Sequence, residues 1–538
     1  MVQKKAFKGT VFTVLAATLV VSVLSGCTSN KEGQTAKETD SAKATTAASK
    51  SPVTIKVEVF DRGNSPAGKS VTNNYITKYV EDNFTKKTNI KVEYVPVPRA
   101  QEVEKLNVLM ASGDAPDIVF TYDSNVVYKY VQQGGLTDVG ALLDQYGSNL
   151  KSYLGKDTLA FGTYDGKQYA IPAKRVYLGK YSSEIRQDWL DKLGLPAPKT
   201  TDEVYQTLKA FKEKKLGGDQ TIPLGFSLVN ASYEPIIWSF IKKMSDEDRY
   251  TKTQQLGSSE YMLLQDGHKD GVRFLNKLYN EGMISPDFAL DKDKKKLYQD
   301  IATGKVGMYA EDAGGTYQIL PPDTYTVLQK TVSGAKLTPI DPYTNEEGKH
   351  AKPAYIPAGM NVIIPKTSKV AAEAIQYLDW IAQKDVLIAM TYGVEGKNHS
   401  TVDGLPVRLD NDETKQNFYN YGDYTALVSN GTDFGSPDKN AQALSLDYVE
   451  ANRSAATQAL KNGLQDGLSP VRFQRPIEAE AKYGKALQDK YEQLIVKSML
   501  AKPADFDKTY DDMLKDYMTN GGDAILKERT EAYKSMKK

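Results

Sequence analysis

One cysteine, three histidines and three tryptophans among 538 residues leave little of the chemistry that thiols and metals bring. With Cys27 as the lone cysteine, an internal disulfide and a cysteine-based zinc cluster are excluded, and the body of the chain has no thiol nucleophile. His268, His350 and His399 stand far apart in sequence, and neither His-Glu-x-x-His nor Gly-x-Ser-x-Gly occurs. Charge of one sign is also lacking. The 69 Lys and Arg against 68 Asp and Glu give a net +1, which argues against electrostatic capture of nucleic acid or of an anionic membrane surface. No apolar run is long enough to span a bilayer comfortably, because residues 11–24 are short and interrupted by Thr and Ser. What is abundant is tyrosine, 34 against 15 Phe, a side chain with an apolar face and a polar tip that suits clefts and recognition surfaces. At this length, with 40% apolar residues, the chain is expected to fold as two large lobes or about three to four domain equivalents.

Lys4, Lys5 and Lys8 precede the apolar stretch and form the basic start of an export signal. The stretch ends in Leu24-Ser25-Gly26-Cys27. That ending resembles the lipobox of bacterial lipoproteins, in which the chain is cut before the cysteine and the thiol carries a diacylglycerol. The expectation is a signal peptide over residues 1–26 and a lipidated Cys27, with palmitate-class acyl chains holding the protein on the extracellular face of the cell membrane. Residues 28–51 contain no Ile, Leu, Val, Met or aromatic residue, so they cannot offset the entropy of ordering. They read, with Cys27, as a tether over 27–51, a coil of about 27 Å end to end.

The folded body starts at residue 52. Val53-Thr54-Ile55-Lys56-Val57 alternates apolar and polar, Tyr75, Ile76, Tyr79, Val80 and Phe84 recur at helical spacing, and Ile90-Lys91-Val92-Glu93-Tyr94 alternates again. A further helix follows around residues 103–110, then the apolar run Ile118-Val119-Phe120 opens onto Thr121-Tyr122-Asp123. Strands alternating with helices predict an α/β fold with a mostly parallel sheet, whose ligand side is the carboxyl end of the strands.

Ser112-Gly113-Asp114-Ala115-Pro116-Asp117-Ile118, Tyr169-Ala170-Ile171-Pro172 and Arg186-Gln187-Asp188-Trp189-Leu190 are followed by Gly304-Lys305-Val306-Gly307-Met308-Tyr309, Tyr392-Gly393-Val394-Glu395-Gly396 and Gly521-Gly522-Asp523. In this order they resemble the extracellular solute-binding proteins of family 1, receptors for carbohydrate-importing ABC transporters, and especially the large lipoproteins of Gram-positive bacteria. The resemblance implies a two-lobed, periplasmic-binding-protein-like fold of type II. Each lobe would be a mixed, mostly parallel sheet flanked by helices, with hinge crossovers and a ligand cleft between. The first lobe would take residues 52–171 plus 353–392, and the second 172–352 plus 393–538. It further implies a monomeric receptor without enzymatic activity or cofactor, whose partners are an oligosaccharide and ABC permease subunits.

A pyranose has an apolar face of C–H groups and an equator of hydroxyls, so its site needs aromatic platforms beside paired donors and acceptors. Residues able to supply both are expected at strand ends: Tyr122, Asp123, Arg175, Tyr177, Trp238, Tyr309, Glu311, Tyr355 and Glu395. Plainer roles stand beside these. Asp123 can cap the next helix, Arg175 can sit in an ion pair, and Glu395 can hold its own loop. Trp189 and Trp380, at helical spacing with leucines and isoleucines, read as core. An arginine suits vicinal hydroxyls and a uronate carboxylate alike, so Arg175 leaves an acidic sugar open.

Many large members of the resembling family carry an Asp/Asn-rich calcium loop where this chain has Lys212-Glu213-Lys214-Lys215-Leu216-Gly217-Gly218-Asp219-Gln220-Thr221. Residues 266–271 end in Asp-Gly but place His268 at a ligand position and Lys277 where a bidentate Glu belongs. No metal is expected at either place. The alternatives to a transport receptor are a surface carbohydrate-binding protein or sensor-coupled receptor and, less favoured, a glycan-degrading enzyme. That enzyme would need only two suitably spaced carboxylates. Ser239 and Lys242 fit Ser-x-x-Lys without its partner motifs.

Overall fold

The computed structural model describes residues 52–537 apart from 258, 315–317 and 474. Cys27, the expected signal and the expected tether lie outside them. The chain enters through strand β1 (Val53–Asp61), where Ile55 and Val57 are buried and Thr54 and Lys56 exposed, as the alternation requires. It pairs in parallel with β2 (Ile90–Pro98), Val53 opposite Ile90. Helix α1 (Tyr75–Val80) lies in the crossover and opens on a capping box: Asn74 Oδ1 accepts from the Ile76 and Thr77 amides, and the Asn74 amide donates back to Thr77 Oγ1. Strand β3 (Val119–Thr121), joined to β1 by a parallel Val57–Ile118 bridge, delivers the chain to helix α2 (Ser124–Gln132).

Strands β4 (Ala170–Arg175) and β5 (Tyr181–Arg186) are separated only by the crossover 176–180. Strand β6 (Ile222–Leu224), helix α3 (Asn230–Phe240), strand β7 (Val306–Asp312), helix α4 (Pro322–Thr331) and strand β8 (Leu337–Ile340) complete the second half. Strand β9 (Ala358–Ile363), helix α5 (Ala371–Ile381) and strand β10 (Ser429–Asn430) follow. Helix α6 (Glu450–Leu464) and the long helix α7 (Glu478–Leu500) come near the end.

Two four-stranded sheets result. The first has the order β10-β4-β9-β3, with β9 antiparallel to β3 and β4 and with β10 parallel to β4. The second has the order β8-β5-β7-β6, in which β5 runs against both neighbours and β6 is parallel to β7. Each sheet therefore has one parallel and two antiparallel pairings and is mixed rather than mostly parallel. In the second, strand β5 arrives from the other sheet instead of through a strand-helix-strand unit, so the rule that makes such units parallel does not govern it.

Each sheet has its own core. Around the first pack Ile55, Val57, Phe120, Ile171 and Val362 with Ala374, Ile375 and Leu378 of α5. Around the second pack Ile185, Trp189, Phe211, Trp238 and Met308 with Leu487, Tyr491 and Leu494 of α7. Trp189 is 1% exposed and meets Phe211 edge-on at 5.1 Å, and Trp380 packs against Phe84 at 5.2 Å, both in core roles. One expected boundary moves. Phe418, Tyr424, Leu427 and Val428 belong to the first core and β10 to the first sheet, although they follow residue 393. Their apolar side chains find the unfilled side of β4 and α1, as when the Asn74 amide donates to the Tyr424 hydroxyl at 2.7 Å. No helix among the described residues is long and apolar enough to cross a membrane.

Candidate functional site

Strands β1, β3 and β4 point the same way, and their carboxyl ends bring Arg62, Tyr122 and Arg175 together beside Asn430 of β10. The Tyr122 amide donates to Glu102 at 2.9 Å, and Glu102 holds Arg99 at 2.6 Å. The Arg99 guanidinium lies 5.3 Å from the Tyr122 ring, and the Asn430 amide faces the phenol oxygen at 3.5 Å. Burial raises the Tyr122 pKa against the pull of Arg175, Arg99 and Arg62. Arg62 forms a forked pair with Asp423 at 2.7 and 3.0 Å, and Lys174 meets Asp433 at 2.5 Å.

The second sheet contributes from across. Strand β7 ends at Asp312, whose Oδ2 accepts the hydroxyl of Tyr355. The Tyr355 ring presents its face to Arg175, 3.9 Å from the guanidinium carbon, and Lys180 stands 5.1 Å from the same ring. Glu234 of α3 is oriented by the Trp238 indole N–H at 3.0 Å. Burial pushes Glu234 up to about 7 and raises Asp312 as well, with the Lys180 charge opposing both. Three buried atoms of this group meet no hydrogen-bond partner among the described residues: Arg175 Nε, Asp312 Oδ1 and Glu234 Oε1. Close backbone approach fixes the arrangement. A Cβ on Gly314, two residues past Asp312, would fall 1.8 Å from the Gly179 carbonyl oxygen, and one on Gly179 would fall 2.8 Å from the backbone of Gly463 at the end of α6.

A cavity of about 510 Å³ is lined by Phe418 and Tyr421 of the first core and by residues of α4 and of the segment leading into α6. Tyr419 and Tyr421 line it from one side and Tyr448, Asp447 and Asn452 from the other, with Arg408 between. Arg408 lies 4.0 Å over the Tyr421 ring and 3.8 Å from Asp447. Tyr419 touches Ser65 at 3.1 Å, which links the cavity to the strand ends at Arg62 and Asp423. The arrangement offers aromatic faces with donors and acceptors around them.

Residues 69–387 match the model of the bacterial extracellular solute-binding protein family. The chain belongs to that family. Lipoprotein LipO of Bacillus subtilis is 24% identical over 97% of this chain and 98% of its own length. The polygalacturonan/rhamnogalacturonan-binding protein YtcQ of the same organism is 28% identical over 59% of this chain and 62% of its own. Among solved structures, the alginate-binding protein AlgQ2 without calcium ion superposes with a TM-score of 0.68 at 22% identity, over 90% of this chain and 98% of that one. The Streptococcus pneumoniae substrate-binding protein FusA in complex with kestose gives 0.63 at 19% identity, over 90% and 99%. These neighbours are two-domain solute-binding proteins, and the family is one of binding proteins rather than enzymes.

In this solute-binding protein the sequence-derived candidates part company. Tyr122, Arg175 and Tyr355 come together. Asp123 caps α2, its Oδ1 accepting from the Asn125 amide at 2.9 Å. Tyr177 stands behind, its hydroxyl donating to the Asn440 carbonyl at 3.2 Å and its ring pressed by Gly431. Trp238 is 2% exposed and reaches the site only through Glu234. Tyr309 is 1% exposed and donates to the Ile319 carbonyl at 2.8 Å. Glu311 is buried, paired with Lys294 and accepting from the Tyr298 hydroxyl at 2.9 Å. Glu395 is exposed in a loop and accepts from Thr401 at 2.6 Å, the loop-holding role.

Lys180, Glu234, Arg62 and Asn430 were not singled out from sequence as ligand-facing, although Arg62 obeys the same strand-end rule that points to Tyr122. Residues 63–70 match Gly-x-x-x-x-Gly-Lys-Ser, a phosphate-loop spacing, so that pattern is present in the chain and not absent as expected. The structure gives it no such use. Helix α1 begins only at Tyr75, its first amides are taken by Asn74, and Lys69 sits in a turn with its amide on the Pro66 carbonyl. The loop at 214–221 closes on itself: the Gly217 amide donates to Thr221 Oγ1 at 2.9 Å and Lys215 meets Asp219 at 2.9 Å. His268 is held between the hydroxyls of Tyr510 at 2.8 Å and Tyr491 at 3.1 Å, and burial pushes its pKa down to about 3.

Proposed function

We propose that this chain is a receptor that captures an oligosaccharide between its two lobes and delivers it to the permease subunits of an ABC importer. One observation carries the reading: aromatic faces and unpaired donors and acceptors converge from the strand ends of both sheets, at Tyr122, Arg175, Tyr355 and Asp312. A sugar ring needs this mixture, apolar C–H on a ring face and hydroxyls on polar atoms that have no other partner. The printed names of relatives support the same class: polygalacturonan and rhamnogalacturonan for YtcQ, alginate for AlgQ2, fructooligosaccharide for FusA.

The first lobe takes residues 52–171, 353–392 and the returning segment 418–430, and the second takes the rest. Ligand contacts fall on Tyr122, Arg175 and Tyr355 with Asp312 and Asn430, while Tyr177, Trp238, Tyr309 and Glu311 brace them. Ligand binds one lobe, the other closes over it, and the closed population rises by as much as the ligand prefers that state. The protein acts as a monomer. It is held on the outer face of the cell membrane by lipid on Cys27 after removal of a signal peptide, and residues 28–51 serve as tether.

Thermal melting against a panel of oligosaccharides, with chromatography of each sugar afterwards, tests the reading. A ligand at 100 times its dissociation constant adds about 2.7 kcal/mol and is recovered intact. Degraded sugar, or no shift with any sugar, overturns it.

A further inference from the structure

The charges at the cleft bear on which oligosaccharide fits, an inference that rests on the receptor reading. Arg62 is held by Asp423, Arg99 by Glu102, Lys174 by Asp433 and Arg408 by Asp447. Each of these cations is already matched to a carboxylate, so none is left to compensate an acid group on a ligand. Lys180 and Arg175 form no ion pair among the described residues, and the Lys180 charge acts on the nearby Asp312 and Glu234. Arg175 lies flat on Tyr355, whose hydroxyl is given to Asp312.

The unpaired atoms sharpen the point. Two are acceptors, Asp312 Oδ1 and Glu234 Oε1, and one is a donor, Arg175 Nε–H. An ionised carboxylate accepts only, so a uronate carboxylate on Arg175 cannot also donate to Asp312 and sets its charge against Asp312 across one tyrosine ring. A hydroxyl donates and accepts. It can give its proton to Asp312 while taking the Arg175 N–H, and a neighbouring hydroxyl can serve Glu234.

We propose that the cleft selects neutral oligosaccharides and rejects uronates, with Asp312 as the specificity-determining residue acting opposite Arg175. This separates the chain from relatives whose names carry polygalacturonan or alginate.

The experiment is isothermal titration of the protein with matched pairs that differ chiefly in charge. These are galactotetraose against tetragalacturonate, mannotetraose against tetramannuronate and cellotetraose against its glucuronate counterpart, at about 0.15 M ionic strength. The expected result is binding of at least one neutral member with its uronate partner at least about tenfold weaker. In Asp312→Asn, which keeps the shape and removes the charge, the neutral sugar should bind about tenfold more weakly and the gap to its uronate should narrow. A uronate that binds as well as or better than its neutral partner overturns this inference and leaves the receptor reading standing. An Asp312→Asn variant whose gap is unchanged removes Asp312 from the role. No binding by either member of any pair sinks the receptor reading and this inference together.

Discussion

Tyr122 follows strand β3 and Tyr309 sits in the middle of β7; Tyr309 lies 1% exposed with its hydroxyl on the Ile319 carbonyl, and Tyr122 keeps a half-buried ring among three arginines. Tyr309→Ala should therefore cost about 3–5 kcal/mol of stability in urea unfolding, the penalty of an emptied aromatic core site. Tyr122→Ala should instead weaken sugar binding about tenfold or more with a smaller loss of stability. The reverse pattern would exchange their roles. The difference is not legible in the sequence because Val306, Met308 and Tyr309 are all at most 3% exposed, so β7 is covered on both faces and gives no alternation. Nothing in the string of residues marks Asp312 as the one that emerges.

Glu58 is a second case. It is 1% exposed, its Oε2 accepts only the Phe120 amide at 3.3 Å, and burial pushes its carboxyl from 4.5 up to about 8. A carboxyl raised in the fold contributes stability that is complete below pH 4.5 and is lost as pH rises through about 8. Glu58→Gln, which cannot titrate, should lose less stability than the parent between about pH 5 and 8. Equal losses would show that Glu58 is not the source.

Elements show where pattern suffices and where it fails. The start of β1 was readable because exposed Thr54 and Lys56 alternate with buried Ile55 and Val57, β2 because exposed positions separate its buried ones, and α5 because its apolar residues recur on one face. Strand β5 is buried at every position from Tyr181 to Arg186, so its existence follows from the resemblance rather than from alternation. The exit of β7 depends on a fit between glycines that no local pattern encodes. Gly314→Ala forces a Cβ to 1.8 Å from the Gly179 carbonyl oxygen, which cannot yield because Gly179 is itself pressed on Gly463. The expected outcome is displacement of the Asp312 end of β7. Far-ultraviolet circular dichroism should stay near that of the parent while affinity for the sugar falls about tenfold or more. Unchanged affinity would mean that the turn relaxes without moving Asp312.

At the scale of the whole molecule, the two-lobed fold followed from family resemblance, but the return of residues 418–430 to the first core did not. Their apolar side chains could have completed either core, and only the three-dimensional fit to β4 and α1 decides it. The lobes also touch away from the cleft. Arg472, a few residues before Ile477 of the second core, donates to the Ala160 carbonyl at 2.6 Å and lies 4.6 Å over Phe161, just before β4. Such a contact exists only while the lobes keep this relation. An exposed cation–π pair together with one net hydrogen bond is worth about 1–2 kcal/mol. Arg472→Ala should shift the ligand-free equilibrium away from this arrangement by that amount, about fivefold to thirtyfold, and apparent affinity should fall with the fraction of binding-competent molecules, by at most the same factor. Small-angle scattering should then show a larger radius of gyration for the ligand-free variant than for the parent, and equal radii at saturating sugar. Equal radii without sugar, together with unchanged affinity, would mean that the Arg472 contact follows closure without helping to set it.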